Sequence, residues 1–239
     1  MARIDGRAND ELRPVRIIPG ALLYPEGSAL IYLGNTKIVC AVTAEETVPP
    51  FLRGKGQGWL TAEYAMLPRA TSVRTTREVA LGRVGGRTQE IQRLIGRSLR
   101  SAVDLTAIGE RTLLVDCDVL QADGGTRTAA ITGSYVAVVL ALRKLVERGV
   151  LKAMPPLTPV AATSVGVVEG DLVLDLAYEE DSRAQVDFNI VMTHKADFVE
   201  VQGTAEHRPF SRTTANLLLD LAEKGIRELL ALQNAALGY

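Results

Sequence analysis

LLVDCDVLQADGGTRT, the stretch from residue 113 to residue 128, joins an apolar strand to a long helix and decides how the chain folds. The residues before Asp116 are apolar, which is typical of a short buried strand. From Thr128 to Glu147 the residues are mostly small or apolar, and this predicts a helix of about five turns. We therefore expect the chemistry of the protein at the point where the strand meets the helix.

The turn between these two elements has the composition of a phosphate-binding turn. Glycine lets the backbone approach a ligand closely, and a helix N-terminus offers unpaired N–H donors and the positive end of a dipole. Threonine adds hydroxyl donors, and arginine can bind an oxyanion through two parallel hydrogen bonds. The alternative is an ordinary turn with a threonine N-cap, which gives no reason for the arginine. The residues concerned are Gly124, Gly125, Thr126, Arg127 and Thr128.

The composition is that of a globular protein. A chain of 239 residues with 47% hydrophobic residues can bury a sizeable core. We expect one unit over residues 1–239, with two halves of about 1–150 and 151–239. No uninterrupted apolar window of about 18 residues is present, and the charged N-terminus lacks the apolar run of a signal peptide. The expectation is a soluble cytoplasmic protein that does not bind membranes.

The cysteines and histidines carry no signal for chemistry. Cys40 and Cys117 lie in apolar strand-like runs and have no metal-ligand spacing, so we expect buried free thiols. We treat His194 and His207 as surface residues.

Charge is nearly balanced over the chain, with 27 basic and 28 acidic residues, but it is unevenly distributed. Residues 69–100 contain eight arginines, two acids and no lysine, whereas residues 169–187 contain seven acids and one arginine. The first segment favours phosphate recognition, because the guanidinium fork matches phosphate oxygens. The second could hold a divalent cation. The alternative for each segment is a solvated charged surface.

Both halves of the chain follow the same order of hairpin, further strand and helix. A polar lead-in, Arg3 to Arg16, is expected on the surface. The first hairpin turns at Gly34-Asn35-Thr36, and the second, after Pro155-Pro156, turns at Glu169-Gly170-Asp171. This order predicts two pseudo-repeated α+β units whose sheets pack together through helices. The remaining predicted elements are a strand at 59–66, an arginine-rich connection at 68–87, an amphipathic helix from 88, strands near 185–193 and 198–203, and a helix from about 211 to 237.

Two aspartates in the acidic segment are candidate metal ligands. Asp187 lies on the polar face of an alternating strand, and Asp181 lies in the turn that enters this strand. Six residues apart, both could reach one Mg²⁺, which usually binds through one or two carboxylates plus substrate phosphates and waters. The alternative is a hydrated polar strand face.

Short motifs distributed over the whole chain together resemble one family. They are DGR at 5–7, ELRP at 11–14, PPFLRG at 49–54, GW at 58–59, TAEY at 61–64, MLPR at 66–69, GRT at 86–88, EIQRLIGR at 90–97, DCD at 116–118, QADGGTRT at 121–128 and YEED at 178–181. In this order they closely resemble the bacterial ribonuclease PH family. A series of motifs in the right order is far more specific than any one of them.

The resemblance implies a fold, an activity and an assembly. The fold is the α+β ribonuclease PH fold, related to ribosomal protein S5 domain 2, with two pseudo-repeated halves of sheet and helix packed as one unit. The activity is that of a phosphate-dependent 3′ to 5′ exoribonuclease that trims precursor tRNA and other structured RNA 3′ ends. It releases nucleoside 5′-diphosphates and runs backward as a tRNA nucleotidyltransferase. The assembly is a homohexamer, a trimer of dimers.

The resemblance also assigns the phosphate site. Arg87, Gly125, Thr126 and Arg127 match the family's phosphate-binding positions. Inorganic phosphate is therefore the expected co-substrate and nucleophile, with no covalent enzyme intermediate.

The remaining assignments concern the acids and the RNA. Asp181 and Asp187 match the family's essential acidic pair and are expected to be both catalytic residues and Mg²⁺ ligands. Whether either protonates the leaving 3′-oxygen is left open. Arg69, Arg74 and Arg77 resemble positions that contact the tRNA body or the subunit interface.

Two other classes of function stay open at this point. One is a catalytically silent RNA-binding subunit of an exosome-like ring, against which the combined presence of Arg87, Arg127, Asp181 and Asp187 argues. The other is a hydrolytic nuclease, which would use a metal-activated water and would need no phosphate-binding turn.

Overall fold

The computed structural model describes residues 3–206 and 208–239, and this part of the chain contains nine strands and four α-helices. The first half comprises β1 Val15–Pro19, β2 Gly27–Leu33, β3 Thr36–Glu45, β4 Trp59–Met66, α1 Gly86–Ala102, β5 Thr112–Gln121 and α2 Thr126–Glu147. The second half comprises β6 Val160–Val168, β7 Asp171–Leu174, α3 Tyr178–Asp181, β8 Val186–Thr193, β9 Phe198–Ala205 and α4 Arg212–Leu237. His194 is exposed, as expected, and His207 lies outside the described residues.

The strands form two sheets, one in each half. The five-stranded sheet has the order β1-β2-β3-β5-β4, and the four-stranded sheet has the order β7-β6-β8-β9. Neighbouring strands are antiparallel except β4 and β5. These two are parallel because the connection through α1 returns the chain to the end of the sheet where β4 began. Both predicted hairpins are confirmed. In the first, Leu33 pairs with Thr36 across a two-residue turn, and Gly34 takes the φ of 55° that such a turn requires.

Helix α2 lies between the two sheets and is buried on most of its surface. It packs on β2 and β3 on one side and on β6 and α4 on the other. Its length and apolar composition alone would suit a membrane span, but 78% of its most apolar window is buried inside the fold, as in a core helix. The prediction that the sheets pack through helices is therefore confirmed.

The core residues form two large clusters, and each includes residues from both halves of the chain. One joins the five-stranded sheet to α1 and α2, and the other lies between the four-stranded sheet and α4. Cys40 and Cys117 are buried free thiols in the first cluster, as predicted. Whether residues 1–239 form a single cooperative unit stays a prediction.

Three local predictions were wrong. The strand at residue 113 continues to Gln121, because Cys117 and Val119 point into the core while Asp116 and Asp118 alternate to the outside. The next helix begins at Thr126 rather than Thr128. Asp181 ends the one-turn helix α3 and does not lie in a simple turn.

The N-terminal lead-in is only in part the surface segment that its polarity predicted, because most of its residues are exposed or half-exposed but two of its arginines are buried. Arg3 is 4% exposed and Arg13 is 3% exposed. Each is paired with a buried carboxylate of the second half: Arg3 with Glu180, and Arg13 with Asp175. Buried arginines need such partners, and these lie 177 and 162 residues away in sequence.

Candidate active site

The turn before α2 leaves the helix N-terminus open to a ligand. Gly124 and Gly125 both have left-handed backbones, with φ of 76° and 63°. Gly125 is the N-cap, and none of the described side chains caps the helix. The threonine-cap alternative was therefore wrong, since the Thr128 hydroxyl instead donates to the Gly125 carbonyl at 2.9 Å. The first N–H groups of α2 remain available to an anion.

The same turn packs directly on the segment that leads into α3. A side chain at position 124 would lie 2.5 Å from the Leu176 carbonyl oxygen and 2.8 Å from the Tyr178 nitrogen. Only glycine fits this approach and this backbone conformation. The contact brings the predicted phosphate-binding turn next to the helix that carries Asp181.

Thr126 is oriented by a tyrosine that sequence reasoning had not considered. The Tyr64 hydroxyl on β4 donates to Thr126 Oγ1 at 2.9 Å. Because Thr126 Oγ1 accepts this bond, its own hydrogen is free to donate to a ligand. Burial raises the pKa of Tyr64, and the charges of Arg87 and Arg127 oppose this effect.

Arg127 and Arg87 lie on two different helices that meet at the site. Arg127, in the first turn of α2, donates from Nη1 to Glu90 Oε1 and to Gln202 Oε1, both at 3.2 Å. Arg87 lies in the first turn of α1, and its side chain is exposed. Burial raises the pKa of Asp181, and the charges of both arginines oppose this shift, so the two cations and the acid share one electrostatic environment.

The two aspartates lie within the electrostatic influence of this cationic region. Burial is the main cause that raises the pKa of Asp181 and of Asp187. At Asp187 the neighbouring carboxylates of Asp181 and Glu206 raise the pKa further, and Arg127 lowers it. The charge of Asp181 therefore acts on Asp187, as expected of two carboxylates that could bind one cation.

Glu206 is a third acid at the site that sequence reasoning missed. It follows β9, and its backbone N–H donates to the Gln185 carbonyl at 3.1 Å. Only the pairing of β8 with β9, where Asp187 lies opposite Thr204, brings it near the aspartates. No motif in the sequence marks this position.

The carboxylates of Asp181 and Asp187 would suit a magnesium ion whose remaining ligands come from substrate and water. No salt bridge occupies Asp181 or Asp187 among the described residues. The described ranges also contain no group of three or more acidic, histidine or cysteine side chains arranged for a metal. Two carboxylate ligands leave coordination positions for phosphate oxygens and waters, which is how Mg²⁺ usually binds. Asp181 and Asp187 would hold the ion.

The three candidate RNA-binding arginines lie on an exposed loop beside the site. Arg69 donates from Nη1 to the Ser72 carbonyl at 2.6 Å and so braces the loop. Arg74 and Arg77 are exposed, and neither forms a salt bridge within residues 3–206 and 208–239. Thr71, Ser72, Val73 and Thr75 line one wall of an open cavity of about 920 Å³, and Ala122, Asp123 and Tyr178 line another. The loop therefore adjoins the phosphate-binding turn of the same chain.

Comparison with known proteins finds matches over most of the chain. A model described as 3′ exoribonuclease family, domain 1, matches residues 11–144, and the model for domain 2 of the same family matches residues 158–225. A ribonuclease PH from Syntrophomonas wolfei is 59% identical over 100% of both chains. A ribonuclease PH from Bacillus cereus is 60% identical over 99% of this chain and 97% of its own.

Solved structures agree in fold. An Archaeoglobus fulgidus exosome with RNA bound to the active site is 25% identical, with a TM-score of 0.78 over 95% of this chain and 91% of that chain. Rice Rrp46 also has a TM-score of 0.78, over 98% of this chain and 100% of its own. At 20% identity, this second likeness shows the fold alone.

Proposed function

Because the chain belongs to the ribonuclease PH family of phosphorolytic 3′ exoribonucleases, we propose that it trims the 3′ ends of precursor tRNA and, in reverse, acts as a tRNA nucleotidyltransferase. The observation that carries this proposal is the packing of the turn at Gly124 against the start of α3. This packing supports a cationic site for an anion close to the two aspartates.

The cationic side of the site suits inorganic phosphate as the attacking group. The α2 N-terminus, Thr126, Arg87 and Arg127 would bind the phosphate beside the last phosphodiester of the RNA. A phosphate oxygen bonds to that phosphorus, the bond to the preceding 3′-oxygen breaks, and the 3′-oxygen takes up a proton. The product is a nucleoside 5′-diphosphate. Two anions repel one another, so fixed cations and N–H donors are what this reaction requires of the protein.

The acidic side suits a magnesium ion. Bound by Asp181 and Asp187, Mg²⁺ would neutralise charge on the scissile phosphodiester. The chain would orient the ion, because α3 holds Asp181 in place and the β6–β8 pairing holds Asp187. Asp187 is half-buried, which strengthens its attraction for a cation relative to water.

The substrate and the assembly extend the proposal. RNA bound at the active site of the Archaeoglobus fulgidus exosome supports RNA as the substrate class. We propose a cytoplasmic homohexamer, a trimer of dimers, because one subunit offers little surface for a folded tRNA. In a ring, several copies of the loop at residues 69–77 would surround each site.

The released nucleotide tests the proposal. With Mg²⁺, a 3′-extended tRNA and phosphate, we expect nucleoside 5′-diphosphates, identified by chromatography against standards. Without phosphate, release should stop. Monophosphates would instead indicate a hydrolytic nuclease.

A silent ring subunit is the second candidate, since solved exosomes share the fold. It would bind the RNA without releasing any nucleotide in the same assay. The presence of Arg87, Arg127, Asp181 and Asp187 at one site argues against it.

Replacing Arg69, Arg74 and Arg77 together by alanine should weaken tRNA binding and flatten its salt dependence. Each lost phosphate contact should reduce the slope of log K against log salt by about 0.7 to 0.9. Phosphorolysis of a short single-stranded RNA, which needs only the phosphate-binding turn, should be spared. The measurement compares both substrates over a salt series while light scattering follows the molecular mass.

Two outcomes would contradict this role. Equal loss on both substrates with an unchanged mass would remove these arginines from tRNA docking. Loss that accompanies dissociation would assign them to the subunit interface.

A further inference from the structure

Arg13 connects the phosphate-binding turn to the half of the chain that carries the acids. It is 3% exposed. On one side, Nη1 donates to the Asp123 carbonyl, and Nη2 lies 3.5 Å from the Gly124 carbonyl. On the other side, Nε and Nη2 donate to the two oxygens of Asp175 at 2.9 and 2.6 Å. One planar guanidinium therefore contacts both the turn before α2 and the buried Asp175 of the second half.

Asp175 is held in an uncommon conformation by this contact. It is fully buried, and its backbone has a φ of 55° although it is not glycine. Its carboxylate also accepts the backbone N–H of Arg13 at 2.8 Å. Three residues later the chain enters α3, which ends at Asp181. The position of Asp175 therefore affects the position of α3 and of Asp181 at its end.

Within the described part of the chain, the other side-chain hydrogen bonds to the turn at residues 123–125 come from Asn35, Thr36 and Thr128, and none of them reaches the second half of the chain. Thr36 accepts the Asp123 N–H at 2.9 Å and donates to the Gly124 carbonyl at 2.7 Å. A side chain at position 125 would lie 3.0 Å from Arg13 Nη2, so the guanidinium packs against this turn. Among residues 3–206 and 208–239, Arg13 is the only cationic side chain within hydrogen-bond reach of the turn's backbone.

We propose that Arg13 is a positioning residue for phosphorolysis, and that with Asp175 it sets the phosphate-binding turn relative to Asp181 and Asp187. The proposal rests on the proposed phosphate site. Arg13 does not touch the reacting groups. It acts through the carbonyls of the turn and through the segment before α3, and so it aligns the attacking phosphate with the scissile bond.

Arg3 offers a matched control within the same chain. It is also buried, at 4% exposure, and it pairs with both oxygens of Glu180 at 2.8 and 2.7 Å. Its remaining bonds go to carbonyls of residues 8, 11, 174 and 175. None of its bonds within the described residues reaches the phosphate-binding turn. Arg3→Lys and Arg13→Lys therefore lose similar buried pairs, but only Arg13→Lys disturbs the turn.

The test compares the KM for phosphate and kcat of the full-length protein in three variants, at a temperature well below each unfolding midpoint. Arg13→Lys should raise the KM for phosphate by roughly tenfold or more and lower kcat, because lysine keeps the charge but cannot bridge both sides. Arg3→Lys should leave the KM for phosphate unchanged. Asp175→Asn, whose side chain tolerates the left-handed backbone, should also raise this KM, and it serves as the test if Arg13→Lys does not fold.

The results separate two claims, the positioning role of Arg13 and the assignment of the phosphate site. If Arg127→Ala leaves phosphate use intact, the phosphate site itself is wrong. If Arg127→Ala impairs phosphate use but Arg13→Lys and Arg3→Lys give the same KM for phosphate, Arg13 only stabilises the fold and the positioning role is overturned.

Discussion

Arg127→Ala should reduce phosphorolysis by roughly 30- to 900-fold, while RNA binding and assembly persist. This range corresponds to the loss of about 2 to 4 kcal/mol of transition-state stabilisation, as expected for one charge-assisted donor at a reacting anion. The side chain is 16% exposed, so solvent screens its charge little. Initial rates over a phosphate series give the measurement, and the loss should be greatest at limiting phosphate.

Arg148→Ala is the matched control for this variant. It removes an arginine from the other end of α2, where an exposed pair with Glu26 at 3.2 Å contributes about 0 to 1 kcal/mol. Its phosphorolysis should equal that of the unchanged protein. Near-normal rates of Arg127→Ala at limiting phosphate would refute the assignment of Arg127 to phosphate.

Asp187→Asn should reduce phosphorolysis on the order of 100-fold or more and should raise the Mg²⁺ concentration needed for half-maximal rate. Asparagine keeps the shape and polarity of the side chain but removes one of two charges that would hold the ion. Asp197→Asn, at the exposed turn beyond the other end of β8, is the control and should change neither quantity. A large loss of rate with an unchanged Mg²⁺ titration would assign Asp187 to proton transfer.

Proton competition at the two aspartates gives a further expectation for the unchanged protein. Since burial raises the pKa of both carboxyl groups, they take up protons at a higher pH than ordinary aspartates do. Mg²⁺ binds the ionised form, so the half-maximal Mg²⁺ concentration should rise as the pH falls through these raised pKa values. At Asp181, the arginines 87, 127 and 13 oppose the shift and Glu206 adds to it. A Mg²⁺ requirement independent of pH on the acid side would contradict a shared metal site.

Several elements followed from local sequence alone. Gly34-Asn35 closes the first hairpin, because a two-residue turn needs a left-handed residue there. Ser211 begins α4, where its Oγ accepts the N–H of Thr214 at 3.0 Å. Val186, Phe188, Ile190 and Met192 are all buried, as their alternation predicted. In each case the deciding interaction spans only a few residues.

Some residues of the candidate site could likewise be recognised from local sequence, and others could not. The glycines and Arg127 could be recognised locally, because a helix N-terminus that binds an anion has a recognisable composition. Asp181 and Asp187 were suggested by spacing and assigned by resemblance. Glu206 carried no local signal, since strand pairing brings it to the site. Tyr64 lies in the TAEY motif, but only its hydrogen bond to Thr126 shows its role at the site.

The sequence by itself determined the order of the strands and the long helices, the glycine-rich turn before α2 and the family, because periodicity, turn chemistry and motifs are properties of neighbouring residues. Only the tertiary structure decided the fate of the N-terminal arginines. Their polarity predicted a solvated surface, yet Arg3 and Arg13 are buried against Glu180 and Asp175. A charge can be buried only where an opposite charge and hydrogen-bond acceptors are already in place, and these partners come from the far half of the chain.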